Sequence, residues 1–401
     1  MNAAAIRLTA LVFGASVTNM LGSSAFAALL PDLVRLWGLT NTEAGWIGGI
    51  YFGGYALAVP VLVALTDRVD ARAVYLSATA LTGCAFLGFT LAAEGFWSAI
   101  ALHALAGAGL AGTYMPGLKM LTDRLDGPAQ VRAVPYYTVG FSGGISLSFL
   151  VAGTIEPWLG WRAAFAVGAA GPALAFLLVW LGVDRRPVAV ALTRFLLDFR
   201  PVFTNRRAMA FVLGYTGHTW ELMAQRAWTV AFLLFVASRH PEIDAESWNL
   251  PAIATVIVLA GIPASIIGAE LAVRGDRARL VRRIMIVTVA LAFLTVGAAG
   301  LPFWLVVALM IAYGYAVMSD SAALTAGAVQ SARPGERGAT IAVHSTIGFT
   351  GGFLGPLAAG IVLDLAGGAE SHFAWICAFA AITAGSAIGP FVLRGALQPK
   401  T

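Results

Sequence analysis

An all-α integral membrane protein, with twelve transmembrane helices in two six-helix parallel pseudo-repeats, is the fold class this sequence predicts. Three observations carry that expectation. Of the 401 residues, 59% are hydrophobic and only 11% charged, whereas soluble domains carry about 25% charge. The apolar residues gather into twelve segments near the roughly 20 residues that a bilayer crossing requires. Finally, a glycine-rich heptapeptide recurs about half a chain length downstream.

The segments run over 7–34, 43–66, 73–93, 96–121, 133–155, 163–183, 208–236, 249–272, 282–300, 303–327, 340–365 and 373–393. The first has a leader-like look, with Arg7 ahead of it and Ala25-Phe26-Ala27 resembling a cleavage site. Its apolar run continues to Leu30, so an uncleaved first helix is expected. Thr40-Asn41-Thr42-Glu43 has the capping-box spacing and should start the second helix. Short turns join the segments except over 184–207, where arginines 185, 186, 194, 200, 206 and 207 alternate with apolar residues. That stretch reads as an amphipathic cytoplasmic linker between a six-helix bundle at 1–183 and another at 208–401.

The +5 net charge does not point to nucleic acid, because the basic residues sit in short loops rather than in one patch. With Arg35, Arg162, Arg239 and the intramembrane Arg226 set aside, 21 of the 25 basic residues fall in the even-numbered loops and tails. The positive-inside rule then places both termini in the cytoplasm of a multi-pass inner-membrane protein. Cys84 and Cys377 lie inside apolar segments and are expected to be free thiols.

Thr138-Val139-Gly140-Phe141-Ser142-Gly143-Gly144 in the fifth segment returns as Thr346-Ile347-Gly348-Phe349-Thr350-Gly351-Gly352 in the eleventh, 208 residues on. Both copies enter the membrane from the cytoplasmic side, as a parallel duplication requires. Between segments 2 and 3 stands Val63-Ala64-Leu65-Thr66-Asp67-Arg68-Val69-Asp70-Ala71-Arg72. It resembles the G-x-x-x-D-R-x-G-R-R loop of the major facilitator superfamily. Asp67, Arg68 and Arg72 match, whereas Val63, Asp70 and Ala71 depart from the pattern. The resemblance implies a gating loop at Asp67, Arg68 and Arg72, and a central cavity lined by helices 1, 4, 7 and 10.

The seventh segment carries the chemistry. Glu221, Arg226 and His218 fall within nine residues at membrane depth, where each charge costs about 2.5–3.5 kcal/mol on insertion scales. Glu221 trails His218 by about 60° around the helix and Arg226 leads it by about 80°. The structural alternative is an internal Glu221–Arg226 pair that only holds helices in register. Expected substrate contacts are Asn19 on helix 1, Tyr114 and Lys119 on helix 4, Tyr215, His218, Trp220, Gln225 and Arg226 on helix 7, and Tyr315 on helix 10. Expected proton carriers are His218, Glu221 and Asp320, with Asp320 and His344 pairing across helices.

The function expected is secondary transport of a small polar solute, an organic anion, by alternating access, with proton-coupled uptake. Arg226 supplies the counter-charge. No G-x-x-x-x-G-K-[ST] loop is present to bind nucleotide, and no cofactor, metal or enzymatic activity is expected. The partners expected are the solute, protons and the lipid bilayer, around a monomer. Nitrate carriers of the superfamily place arginines in helices 2 and 8, and none stands at mid-depth there. Drug antiporters carry Gly-Pro in helix 5, where this chain has Gly143-Gly144-Ile145. The competing readings are an efflux antiporter on the same fold and a non-transporting membrane sensor.

Overall fold

The computed structural model describes residues 2–186, 199–240 and 248–397, and among them it is helical throughout with no strand. The order is α1 (Ala3–Asn19), α2 (Ala25–Ala28), α3 (Leu30–Trp37), α4 (Asn41–Leu65), α5 (Ala71–Ala92), α6 (Phe96–Thr122), α7 (Gly127–Gly182) and α8 (Arg200–Phe203). There follow α9 (Arg206–Ser238), α10 (Leu250–Arg274), α11 (Arg277–Gly297), α12 (Phe303–Met318), α13 (Ser321–Gln330), α14 (Arg337–Leu365) and α15 (His372–Val392). Nine of the described helical runs are long and apolar enough to cross a membrane. One of them, α7, is two spans in one: Gly160, at φ 77°, breaks it where a side chain would be strained. With α1 and the 33-residue α9, whose mid-helix polar cluster dilutes its apolarity, the count reaches twelve. Within the 184–207 linker, residues 187–198 lie outside the described residues.

Two predicted segments are interrupted, and both interruptions have local causes. The first segment stops being a helix after Asn19. Ser23 Oγ donates back to the Met20 carbonyl (2.7 Å), and the Ser24 N–H is taken by Ser148 Oγ (2.9 Å). Serines that bond their own backbone compete with the helix ladder. The tenth segment pauses at Ser319 and Asp320, where Ser319 Oγ donates to the Tyr315 carbonyl (2.9 Å) and α13 restarts beyond.

The chain divides into two compact units. The first holds α1, α2 and the chain from Gly54 through α7; its core joins Val12, Tyr75, Met120, Tyr137 and Val179. The second holds Leu30–Gly53 and everything from α8 onward, with Phe211, Met285, Leu324 and Leu393 in its core. The repeated heptapeptide supplies a close helix crossing in each unit, though one position apart, since a Cβ on Gly143, the counterpart of Gly351, would meet nothing within 4 Å. In the first unit a Cβ on Gly144 would meet Met20 Cβ at 2.6 Å, so α7 closes tightly on the end of α1. In the second, a Cβ on Gly351 would meet the Thr216 carbonyl at 2.2 Å, so α14 closes on α9. Small residues at these crossings let helices approach to backbone contact.

Residues 30–53 bring the start of α4 into the second unit, against α14. The capping box forms as expected: Thr40 N donates to Glu43 Oε2 (2.9 Å) and Glu43 N to Thr40 Oγ1 (3.1 Å). The Asp364 carboxylate adds to it. It accepts from Asn41 N (3.0 Å), Asn41 Nδ2 (2.8 Å), Thr42 N (2.7 Å) and Thr42 Oγ1 (2.6 Å). An acid from another helix thus satisfies the orphan donors at the positive end of α4.

Candidate functional site

In α9, Asn205 caps the helix by accepting from Ala208 N (3.1 Å), so the helix enters the second unit with its polar residues turned inward. His218 is 1% exposed, Glu221 1%, Gln225 5% and Arg226 8%. Buried polar groups must find partners, and their choices define the site.

His218 Nδ1 lies 2.7 Å from Asp320 Oδ1, and both side chains are buried. The pause between α12 and α13 is what brings Asp320 to this position. The two are in ion-pair contact without hydrogen-bond alignment at Asp320 Oδ1, and His218 Nε2 has no hydrogen-bond partner among the described residues. The expected Asp320–His344 pairing does not form. His344 instead approaches Thr325 Oγ1 through Nε2 (3.2 Å) and stacks on Tyr215 at 4.0 Å, and Tyr215 stacks on His218 at 5.5 Å.

Glu221 does not pair with Arg226 either. Its carboxylate takes two hydroxyls from two helices: Tyr313 Oη donates to Oε1 (2.8 Å) and Ser386 Oγ donates to Oε2, while Thr288 Oγ1, whose hydrogen goes to the Met285 carbonyl (2.9 Å), stands 3.4 Å from Oε2. Arg226 makes no ion pair with any described carboxylate; among the described residues its side chain reaches Met318 Sδ, at 3.7 Å from Nη2. The ion-pair alternative for this helix is therefore not what the chain builds. The site holds a solvated-by-hydroxyls acid and a buried guanidinium with no counter-ion among the described residues.

The other expected residues are dispersed. Trp220 donates to the Ala381 carbonyl on α15 (2.9 Å), and Tyr315 is 37% exposed. Gln225 lines a small aromatic cavity with Trp228, Phe232, Tyr313 and Trp375. In the first unit, Asn19 Nδ2 donates to Thr113 Oγ1 (3.1 Å), and Tyr114 packs on Phe141 at 4.7 Å; both line one cavity. Lys119 sits in an exposed pair with Asp123 at 3.1 Å.

Asp67 and Arg68 are exposed in the turn after α4, while Arg72 Nη2 donates to the Trp180 carbonyl (2.7 Å). The acid that organises this end of the first unit is Asp70, which sequence reasoning took as a departure from the motif. It caps α5 through Arg72 N (3.0 Å) and accepts from Arg186 N (2.8 Å) and Arg124 Nη2 (3.3 Å). Burial pushes its carboxyl up, but the two N–H donors and the Arg124 guanidinium together hold it below the usual carboxylate range. An aspartate just ahead of an apolar run is a helix-cap signal, and that signal could have found it. Thr288 and Ser386 were also missed. Hydroxyls in apolar helices ordinarily bond the preceding turn, so nothing in their spacing marks them.

Twelve helices, a parallel repeat and a buried charge cluster on the seventh helix define the class of polytopic membrane carriers. The sequence matches the Major Facilitator Superfamily over residues 12–356, and the chain belongs to that family. It is 30% identical over 165 residues to the "Probable 4-methylmuconolactone transporter" of Cupriavidus pinatubonensis, covering 38% of this chain and 36% of that protein. It is 28% identical over 154 residues to the "Niacin transporter NiaP" of Acinetobacter baylyi, covering 37% and 34%. The aligned region thus spans about a third of the length of these relatives. A solved structure of a bacterial homolog to the human lysosomal transporter Spinster superposes with a TM-score of 0.78 over 99% of this chain and 98% of its own, at 13% identity. That likeness speaks for the fold alone.

Proposed function

We propose that the protein is a secondary transporter carrying a small organic anion into the cell by alternating access, coupled to protons. The observation that carries this reading is Arg226, a buried guanidinium with no carboxylate partner among the described residues. Intramembrane charge of this kind marks a substrate or ion path, and a planar guanidinium suits a carboxylate. The substrates in the two relatives' names agree with the reading, since niacin is a ring-bearing carboxylic acid.

The proton part rests on two neighbouring groups. Glu221, held by the Tyr313 and Ser386 hydroxyls with Thr288 Oγ1 beside it as an acceptor, can take up or release a proton while keeping its partners, because a hydroxyl donates or accepts as required. His218, steadied by Asp320, is the second carrier. The positive-inside pattern supports an inner-membrane protein with cytoplasmic termini.

Uptake of radiolabelled monocarboxylic acids into proteoliposomes under a pH gradient tests this directly. Arg226→Gln should abolish acid binding, by more than about 100-fold, because the lost charge-assisted contact is worth several kcal/mol. Arg226→Lys should restore part of it. Acid binding that survives Arg226→Gln in a folded protein would remove the counter-charge role.

A further inference from the structure

We propose that the cavity in the first unit bounded by Asn19 and Tyr75 is the subsite for a neutral, hydrogen-bonding end of the transported solute, a hydroxyl or an uncharged N–H group. It rests on the reading of the protein as a carrier of small polar solutes, and specifies what those solutes carry besides their charge.

The cavity is lined by Ser16, Asn19, Tyr75, Thr113, Tyr114 and Tyr137 together with apolar side chains, and no lining residue is charged. Asn19, 1% exposed, is the last residue of α1, where the first span breaks. Its amide orientation follows from its neighbours. Thr113 Oγ1 spends its hydrogen on the Leu110 carbonyl (3.1 Å), so it faces Asn19 as an acceptor and receives Nδ2 (3.1 Å). The amide oxygen Oδ1 is then the free end, and it has no hydrogen-bond partner among the described residues. Tyr137 Oη is already shared between the Thr113 and Tyr114 carbonyls (2.9 and 2.8 Å). Tyr75 is fully buried; its Oη has no partner at hydrogen-bond distance and angle among the described residues, the Thr79 hydroxyl one turn along the same helix making only a weaker approach.

The site therefore offers one acceptor, Asn19 Oδ1, and one hydroxyl, Tyr75 Oη. The complement is a group that donates to the first and accepts from the second. A hydroxyl does both, and so does an amide or ring N–H beside an acceptor. A charged end is disfavoured, because nothing in the wall balances charge. The space admits one group of about a water's size, which fits a hydroxyl tip and not a ring. A site built to hydrogen-bond such a group rejects the analogue lacking it, since the buried atoms are then left unpaired.

The test uses the purified full chain, with ligand binding read by thermal shift and by competition in flux. The probes are 3-hydroxybutyrate against butyrate, 4-hydroxybenzoate against benzoate, and xylitol as an uncharged polyol. The hydroxylated acids should bind at least about tenfold more tightly than their partners. Tyr75→Phe, which keeps the ring, and Asn19→Leu should each bring that ratio toward one by weakening the hydroxylated acids more than their partners. A ratio unchanged in both variants would mean that a bound water satisfies the two atoms, and would overturn the proposal, as would a wild type with no hydroxyl preference anywhere in the panel. Acids held through Arg226 with no such preference would leave the anion reading standing and remove the subsite. Xylitol binding that depends on Tyr75 but not on Arg226 would keep the subsite and remove the anion reading.

Discussion

Helix α1 in the first unit and α9 in the second each meet the glycine-rich heptapeptide, on α7 and α14 respectively, yet the two helices present opposite chemistry. Around α1 the polar groups are Asn19, Thr113 and tyrosines, all neutral. On α9 they are His218, Glu221 and Arg226, all ionisable. The contacts at Gly144 and at Gly351, one position apart in the repeat, each exclude a side chain, because it would collide with the facing helix. Nothing about those contacts constrains the residues turned the other way. A duplicated membrane bundle can therefore keep its packing while one half becomes a charge site and the other a hydrogen-bond site.

Mutations can break or sharpen that contrast. The largest effect expected is that of Arg226→Gln on the binding of every acid, more than about 100-fold, against about tenfold for Asn19→Leu on the hydroxylated acids alone; comparable losses would mean the halves are not specialised. Next is Glu221→Gln. The amide imitates the protonated acid and can still receive Tyr313, so exchange of solute across the membrane should persist while accumulation driven by a pH gradient disappears. Counterflow and gradient-driven uptake, measured on the same proteoliposomes, separate the two. Loss of both would return Glu221 to a purely structural role.

A smaller effect is expected at the ends of the helices. Asp364→Ala removes a carboxylate that accepts four hydrogen bonds at the start of α4, and should lower stability by roughly 1 kcal/mol on the scale of helix caps. An unchanged melting temperature would show that water replaces it. In the first unit, Asp70→Asn should destabilise more than Asp67→Asn, since Asp70 holds three partners and Asp67 lies exposed. The pH dependence has a definite sign. Asp70 sits below its unfolded value, so its stabilisation is present above the ordinary carboxylate range and fades as pH falls through the lowered value. The melting difference between wild type and Asp70→Asn should thus close in acid. The smallest change should come from Lys119→Gln, which breaks only an exposed pair four residues apart, worth about 0.3–0.5 kcal/mol.

By itself the sequence determined the class of fold, the spans, the repeat and the helix that carries the charge. These follow from local quantities: segment length against bilayer thickness, and the cost of ionisable groups in hydrocarbon. Helix breaks after Asn19 and at Ser319 were not legible, because serines inside an apolar run are compatible with either outcome until their bonding partners are known. Partner choice was decided only by the tertiary structure. Glu221 and Arg226, five residues apart, look like a pair in sequence, yet one is claimed by Tyr313 and Ser386 from two other helices and the other by none of the described carboxylates. Asp320 goes to His218 rather than His344, and Asp70 rather than Asp67 gathers the arginines. The physical reason is the same in each case. A buried polar group bonds to whatever packing brings within about 3 Å, and the neighbours packing brings there are 54 to 165 residues away along the chain or on a face that spacing alone does not assign.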